Sequence, residues 1–260
     1  IFDNNARLLH GTEFEHIIND GSGIVELDAE AEVRDADSNG NADGKAGIEN
    51  GKPAGEQLPA KLKTFLADVY NRPFMNLTTR YKELGLSSSA GDSVKDQLLR
   101  RGLCEALEIT TGGRGSSAKY LAFTDAGFTA LGVEPNHRIN ASNFRHSFWQ
   151  DRIVKWAAPI GKAELERLIQ NKHVDVAVTT EQGLVAVEVE LTSAYTKQNI
   201  EKDLGVGCTK VILACPDGKV LDEVKVIIGS LEESVREKVK ACLLTDLTRD
   251  DPGKWLSAEG

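Results

Sequence analysis

Residues 184–191 read Leu-Val-Ala-Val-Glu-Val-Glu-Leu, and this stretch decides the fold class. Side chains of an extended strand alternate between two faces, and one face here is formed by valines and the final leucine. The opposite face begins with Leu184 and Ala186 and ends with Glu188 and Glu190. This pattern indicates a strand buried on both faces, with two carboxylates at its carboxyl end.

A second apolar run, residues 174–178, precedes this strand and contains Asp175. If the two strands form a hairpin with a two-residue turn at 181–182, or a four-residue loop, paired residue numbers add up to 363. Asp175 then lies opposite Glu188. Opposed carboxylates repel, and a bound cation is the simplest compensation. The oxygen ligands favour Mg²⁺ or Mn²⁺, held by Asp175 and Glu188.

Around this hairpin the pattern predicts a mixed α/β fold. Hydrophobic periodicity predicts an amphipathic helix over 143–157, in which Trp149 and Trp156 belong to the core, and a β segment over 163–169. A helix over 195–204 and an apolar strand over 210–215 follow, and a strand–helix–strand order implies a parallel crossover. Beyond it, the pattern predicts a strand over 224–228 and a closing helix over 230–244.

The preceding part of the chain predicts three helices, over 60–70, 77–84 and 90–101, and then two β-like runs. These runs, 104–111 and 118–123, flank a glycine-rich turn, and a short capped helix over 124–131 ends the region. Residues 28–57 have almost nothing to bury and are expected to form an acidic linker. Residues 35–43 resemble the start of a calcium loop, but its twelfth position is Ala46 where a glutamate is needed.

Charge is distributed unevenly over the three predicted segments. The net charge is −9, and residues 1–57 alone hold 13 acids against 4 bases. Residues 58–133 carry a net +3 and residues 134–260 a net −3. The overall acidity therefore does not argue against nucleic-acid binding by the middle segment.

The bulk composition excludes several classes of protein. No apolar run is long enough to span a membrane, so no membrane partner is expected. The four cysteines are too scattered for a zinc knuckle, and no leader is visible, so we expect reduced thiols in a cytoplasmic protein. The chain starts at Ile1 rather than methionine, so we expect a piece of a longer protein.

Two sequence stretches within residues 58–133 resemble the winged helix-turn-helix family. They are LLRRGLCEALEITTGGRG (98–115) and KYLAFTDAGFTALG (119–132), which match a recognition helix, a wing and a closing helix. The resemblance implies a DNA-binding domain over 58–133. DNA contacts are expected from the third helix and the wing, namely Ser93, Lys95, Gln97, Arg100, Arg101, Arg114 and Lys119.

The later segment resembles the PD-(D/E)xK superfamily of restriction-endonuclease-like folds. The similarity lies in an acid in a core strand, a hairpin, the pattern apolar-Glu188-x-Glu190, and a crossover. It implies an α/β/α domain with a mixed sheet over 134–260, with metal-ligand and general-base positions at Asp175, Glu188 and Glu190. Most members have lysine where Glu190 stands. Lys202, or else Lys197, could supply that positive charge.

Several residues have a less specific interpretation. Asp151 and Glu166 are further candidate acids, and His146 and His173 flank the site but are typical of a protein surface. Tyr195 and Asn199 could line the cleft. Helix-surface polarity explains them equally well.

The segment NLTTRYKELGLSSSAGDSVKDQLLRRGL (76–103), joined to such a domain, also resembles the C-terminal region of HerA/FtsK-type mobile-element ATPases. Because residues 40–45 do not complete a Walker motif, a motor would lie upstream or on another chain. We therefore expect a DNA-processing protein with a Mg²⁺-dependent deoxyribonuclease site, and a homo-oligomer is compatible with it. The alternatives are an inactive nuclease-fold DNA-binding or docking module, and a winged-helix transcriptional regulator.

Overall fold

The computed structural model describes residues 58–112 and 117–257. All of these residues belong to one compact unit of the chain. The acidic linker and the calcium-like loop predicted before residue 58 lie outside the described residues, as does Arg114.

The first part of the described chain has the predicted order of three helices, a hairpin and a fourth helix. Its elements are α1 (Ala60–Asn71), α2 (Leu77–Glu83), α3 (Ser88–Arg100), β1 (Cys104–Thr110), β2 (Ser117–Phe123) and α4 (Asp125–Leu131). Side chains of Asn76, Ser87 and Thr124 accept hydrogen bonds from backbone N–H groups in the first turns of α2, α3 and α4. These caps satisfy donors that have no partner within a helix, so polar residues fix where the helices begin.

The second part contains a five-stranded sheet with helices on both faces. Its elements are α5 (Phe144–Ala157), β3 (Lys162–Ile169), β4 (Lys172–Thr180), β5 (Gly183–Val189), α6 (Thr196–Gly205), β6 (Lys210–Cys215), α7 (Gly218–Gly229), α8 (Glu233–Arg236), β7 (Val239–Leu243), α9 (Leu244–Leu247) and α10 (Pro252–Leu256). The strand order is β3-β4-β5-β6-β7. The first three strands are antiparallel and the last three are parallel, so the sheet is mixed.

The register predicted for the β4–β5 hairpin is confirmed. The pairs run from Val176↔Val187 to Thr180↔Gly183, and each pair adds up to 363. A two-residue turn at 181–182 connects the strands. The parallel pairing of β5 with β6 across α6 is also as predicted.

Two elements near the end of the chain were predicted wrongly. Residues 224–228 belong to α7 and not to a strand. Asp217 caps this helix at Val220, and Val224 is its buried contact with the core. Residues 230–244 are not one helix, because the chain makes only the short α8 and then β7, which pairs with β6. The apolar run over 224–228 does not by itself distinguish a buried strand from one face of a helix.

The sheet has a hydrophobic core on each face. The valines of β5 pack with Phe148, Ile153 and other residues of α5 on one face. On the other face, Ala186 packs with Ile200 of α6 and Val224 of α7. The alternation in residues 184–191 thus directs successive side chains of β5 to opposite faces of the sheet. It places Glu188 on the face that α6 covers.

The β1–β2 hairpin takes part in two cores. Leu121 and Phe123 pack in the cluster formed with α1 to α4. Tyr120 and Ile109 belong instead to the cluster of α5, and the Tyr120 ring centroid lies 4.9 Å from that of Phe148. The two predicted domains, 58–133 and 134–260, are therefore joined through shared apolar packing and not only through a linker.

Two general features agree with the sequence. Within the described ranges, the structure contains no helix that is both long enough and apolar enough to cross a membrane. Cys104, Cys208, Cys215 and Cys242 are all buried free thiols. Burial raises the pKa of each of these thiols to about 12, so they are protonated and poorly reactive.

The helix α4 approaches the preceding turn so closely that only glycine fits at position 127. A Cβ atom there would lie 2.1 Å from the Leu103 carbonyl oxygen. We expect Gly127→Ala to lower the free energy of unfolding by about 1–3 kcal/mol, because the backbone must shift. Urea denaturation followed by circular dichroism measures this change.

The matched control is Gly205→Ala at the end of α6, where an added Cβ meets nothing within 4 Å. It should be neutral or stabilise the fold by up to about 1 kcal/mol, because alanine restricts the unfolded chain. Equal effects of the two substitutions would contradict the assigned close approach.

Candidate functional site

A cleft of about 360 Å³ opens where β4 and β5 stop pairing. The residues that line it are His146, His173, Asp175, Glu188, Val189, Glu190, Leu191, Thr192, Tyr195, Asn199 and Lys202. The structure thus brings all four predicted catalytic residues, Asp175, Glu188, Glu190 and Lys202, into one place.

Two hydrogen bonds between backbone and carboxylate mark the point where the strands part. The last ladder pair is Val176↔Val187. Beyond it, the Asp175 N–H donates to Glu188 Oε1 at 3.1 Å, and the Val189 N–H donates to Asp175 Oδ2 at 2.9 Å. Side chains therefore replace the backbone acceptors that a continued ladder would supply.

The pairing of β4 with β3 is disturbed at the same level. Regular pairs flank this point at Leu165↔Val176 and Arg167↔Val174. Between them Glu166 has φ of +44°, a left-handed conformation that side chains rarely adopt. Such backbone strain is common at functional sites, and here it lies beside Asp175.

Asp175 is held by two residues of α5. His146 Nε2 lies 3.0 Å from Asp175 Oδ2, and Gln150 Nε2 donates to Oδ1 at 3.3 Å. Burial opposes ionisation of Asp175, but the His146 hydrogen bond and charge outweigh it and hold the carboxyl pKa below its ordinary value. Burial likewise disfavours the His146 cation, yet Asp175 raises the pKa of this imidazole above its ordinary value. The pair therefore favours carboxylate and imidazolium.

Glu188 is almost completely buried, with 2% of its surface exposed. Its Oε1 accepts a hydrogen bond from Lys202 Nζ at 3.2 Å. Burial, followed by the charges of Asp175 and Asp203, raises the pKa of Glu188 to about 9. One lysine thus does not offset the burial of this carboxyl group.

Asp203 is a fully buried acid next to Lys202 on α6. It is 0% exposed, and Lys202 and Glu188 are its polar neighbours. Lys202 Nζ lies 3.4 Å from Asp203 Oδ1 and forms an ion pair with it. Burial is the main cause that raises the pKa of Asp203 to about 6. A buried carboxylate is costly, and Asp203 shares its one lysine partner with Glu188.

Glu190 has a different environment. Its backbone N–H donates to the Ala214 carbonyl at 3.0 Å and so extends the pairing of β5 with β6. Its side chain accepts from Thr196 Oγ1 at 3.2 Å and from Asn199 Nδ2 at 2.9 Å. Burial raises the pKa of Glu190, and these two hydrogen bonds oppose that shift. The first turn of α6 is therefore built around this glutamate.

Acidic groups outnumber basic groups in and beside the cleft. Asp175, Glu188, Glu190 and Asp203 are opposed only by Lys202 and His146 among the contacts described above. Carboxylate oxygens suit a hard divalent ion. Among the described residues, however, no group of three or more His, Cys, Asp or Glu side chains is arranged to hold a metal. A metal would thus rely on two carboxylates and water.

Other acids and lysines named from the sequence lie elsewhere. Asp151 pairs with Lys155 at 2.7 Å, and Lys197 lies 3.9 Å from Glu201, so neither lines the cleft. Glu166 neighbours Asp175 along the sheet, but its Oε1 accepts from Arg138 at 3.0 Å.

Trp149 and Trp156 are buried, as predicted.

Three contributors to the site were missed from the sequence: Gln150, Thr196 and Asp203. His146 and Gln150 are four residues apart, which places both on one face of α5. Thr196, Asn199 and Asp203 share a face of α6 for the same reason. The helical spacing was therefore a usable signal, but it becomes informative only when the facing strand is known.

The residues predicted to contact DNA are less uniformly basic than expected. Lys95 pairs with Asp92 at 2.9 Å and with Asp96 at 3.2 Å. The segment that forms α3 contains these two acids, Lys95 and Arg100, and so carries no net charge. The Gln97 amide donates to the Ser93 carbonyl at 3.3 Å. Lys95 and Gln97 are thus engaged within their own helix.

Four other residues of this set lie at accessible positions. Ser93, Arg100, Arg101 and Lys119 are exposed, and Lys119 is paired across the hairpin with Glu108. The base of the β1–β2 loop is held by Arg249, which donates to the Gly112 carbonyl at 2.7 Å. Arg100 and Lys119 are the clearest candidates for phosphate contacts.

Comparisons with protein-family models, with curated proteins and with solved structures found no match to this chain. Proposals about function therefore rest on the contacts, burial and charges of the described residues.

The raised pKa of Glu188 predicts how stability depends on pH. In the unfolded chain a glutamate releases its proton near pH 4.3, whereas folded Glu188 retains it until about pH 9. The folded state therefore binds the extra proton, and the stability associated with it is present below the unfolded pKa and is lost as pH rises towards 9. We expect Glu188→Gln to stabilise the fold at pH 8 by about 1 kcal/mol or more, and much less at pH 4.

Urea denaturation at several pH values between about 4 and 8 measures this difference. Glu201→Gln on the exposed side of α6 is the matched control and should change stability by a few tenths of a kcal/mol. A pH-independent effect of Glu188→Gln would contradict the assigned environment.

Proposed function

We propose that this protein processes DNA by metal-dependent hydrolysis of phosphodiester bonds in the acidic cleft. One observation carries the proposal: Asp175, Glu188, Glu190 and Lys202 line a single cleft where strands of a mixed sheet part. An acid in a core strand, a hairpin, a second acidic strand and a helical crossover is the arrangement expected of a restriction-endonuclease-like α/β/α domain. Fold analogy alone would not carry a function, but this constellation of side chains supports one.

The residues present fit a divalent ion held by Asp175 and Glu188. Acidic groups outnumber basic ones in and beside the cleft, and a divalent ion would take the place of the proton that Glu188 otherwise holds. Mg²⁺ takes one or two carboxylates and keeps several waters, so two protein ligands are sufficient. Such an ion, Mg²⁺ or Mn²⁺, activates water and offsets charge on the phosphodiester when bound.

The chain's own residues have separable roles. Lys202 brings an ammonium group to Glu188. It supplies the positive charge that a lysine in place of Glu190, just after β5, would provide. Glu190, held by Thr196 and Asn199, has a raised pKa and so is a better proton acceptor than an ordinary carboxylate. His146 keeps Asp175 ionised and oriented.

The helices and hairpin of residues 58–133 are the proposed DNA-binding part. Their order fits a winged helix, in which the third helix and the wing contact DNA. Arg100 and Lys119 supply exposed positive charge, whereas the ion pairs of Lys95 argue for modest affinity. Because residues 76–103 resemble the C-terminal region of HerA/FtsK-type ATPases, the proposed protein acts together with a translocase that lies upstream or on another chain.

A second candidate function is an inactive nuclease fold kept for DNA binding or docking. One observation favours it: each of Asp175, Glu188 and Glu190 already accepts hydrogen bonds from protein groups. A site whose carboxylates are satisfied internally has less need of a metal. The two candidates differ in whether the cleft binds Mn²⁺ and cleaves DNA.

We expect Mg²⁺- or Mn²⁺-dependent cleavage of DNA by the wild-type chain, measured on single-stranded, duplex and branched substrates. Glu188→Ala should reduce the rate at least about 100-fold, because it removes a metal ligand. Lys202→Met should reduce the rate by about 10–100-fold while Mn²⁺ still binds, as measured by calorimetry. Lys197→Met, an exposed lysine on the same helix, is the matched control and should retain wild-type activity.

Absence of cleavage together with absence of Mn²⁺ binding would overturn the nuclease proposal and support the docking module. Cleavage that survives Glu188→Ala would show that the activity belongs to another site or to a contaminant.

We expect the double substitution Arg100→Ala and Lys119→Ala to weaken duplex DNA binding and to flatten its salt dependence. Each lost phosphate contact lowers the slope of log K against log salt by about 0.9. Fluorescence anisotropy over a range of salt concentrations measures this slope. Lys63→Ala, an exposed lysine on α1, is the control and should leave the slope unchanged. An unchanged slope for the double variant would remove this surface from the DNA interface.

A further inference from the structure

Tyr195 is the one aromatic residue classed as exposed within the described ranges. Its exposed fraction is 66%, whereas most other described aromatic side chains are buried in the two large cores. It also lines the acidic cleft together with Asp175, Glu188 and Glu190. Tyr195 therefore presents an aromatic surface to solvent at the edge of the proposed reaction centre.

The backbone that carries Tyr195 is held firmly. Its carbonyl accepts the Asn199 N–H at 2.9 Å, which closes the first turn of α6. The same turn supplies Thr196 and Asn199, whose side chains bind the Glu190 carboxylate. The position of Tyr195 is therefore tied to the carboxylates, and ordering its ring costs little entropy because tyrosine has only two side-chain torsions.

The chemistry of the cleft indicates which ligand this ring suits. Every nucleobase has a flat face that stacks on an aromatic ring, with a gain of about 1–3 kcal/mol per base. In a duplex both faces of each base are already stacked on neighbouring bases. A base becomes available only in a single strand, at a frayed end or after flipping out.

The charges of the cleft agree with a ligand that does not rely on phosphate contacts alone. Lys202, His146 and His173 are the basic groups that line it, and they face Asp175, Glu188 and Glu190. Since electrostatic attraction to the sugar–phosphate backbone is weak here, a contact with the base itself supplies binding energy that does not depend on charge.

We propose that Tyr195 is a base-stacking platform and makes this cleft selective for single-stranded or locally unpaired DNA. The inference rests on the proposed function, because it names the substrate class of the same cleft. It assigns Tyr195 the role of a specificity-determining residue, separate from the carboxylates that would perform the chemistry.

The test uses one labelled single-stranded oligonucleotide that is about as long as one turn of duplex DNA. Its binding is compared with binding of the same sequence as a blunt duplex. Fluorescence anisotropy is measured at low salt in EDTA, so that cleavage cannot occur. Tyr195→Ala should weaken single-strand binding by about 5–150-fold, which is the stacking energy converted to affinity, and should change duplex binding less than about twofold.

Further variants separate stacking from other roles of the side chain. Tyr195→Phe keeps the ring and should bind single strands within about twofold of wild type, whereas Tyr195→Leu should fall between phenylalanine and alanine. Val226→Ala is the matched control, since Val226 is an exposed apolar residue of α7 outside the lining of this cleft. It should bind both ligands like the wild type.

Three results would overturn the inference: no single-strand binding by the wild type, equal loss for single strand and duplex in Tyr195→Ala, or a loss in Tyr195→Phe as large as in Tyr195→Ala. These results are distinguishable from failure of the nuclease proposal. A selective loss of single-strand binding without any metal-dependent cleavage supports the platform and removes only the hydrolytic activity. If cleavage is lost in Glu188→Ala, and neither cleavage nor single-strand binding changes in Tyr195→Ala, only the stacking role of Tyr195 is excluded.

Discussion

Two hydrogen bonds between backbone N–H groups and carboxylates determine the shape of this molecule's cleft. A buried backbone donor without a partner costs free energy comparable to a lost hydrogen bond. The N–H groups of Asp175 and Val189 lie just beyond the last regular pair of β4 and β5, and the side chains of Glu188 and Asp175 accept from them. The same two carboxylates that would bind a metal therefore also allow the strands to separate.

Their hydrogen bonds to the backbone accompany a costly burial of acidic groups. Glu188 and Asp203 have raised pKa values because burial and neighbouring negative charge oppose ionisation. Lys202 is shared between them and does not fully satisfy either one. Local features that reduce stability are expected where a fold has been shaped by a function, and the remaining core offsets them. On the two faces of the sheet, β5 buries its valines against α5 and Ala186 against α6 and α7.

Much of the fold follows from patterns that the sequence displays directly. The alternation in residues 184–191 and the short turn before it determine the register of the β4–β5 hairpin, because a slip of one residue would turn Glu188 towards the apolar core of α5. Helix starts at Asn76, Ser87 and Thr124 follow from side chains that cap a first turn. The errors lie in α7 and β7, where short apolar segments satisfy both helical and extended periods.

The site was predictable in part, for a related reason. Asp175, Glu188 and Glu190 were identified because acids interrupt strands that are otherwise apolar. Lys202 was only one of two candidate lysines, since the rotation of α6 about its axis depends on packing against the sheet. Asp203 was missed because an aspartate in a polar helix resembles any surface acid until Ile200 is known to be buried beside it.

The hairpin that packs on two cores has a consequence for how this protein can be rearranged. Tyr120 and Ile109 cover part of the apolar face of α5, while Leu121 and Phe123 complete the core of the first helices. Removing residues 58–133 would leave Phe144 and Phe148 in water, and removing the sheet would expose the other side of the hairpin. We therefore expect the two halves to unfold together and not to act as exchangeable modules.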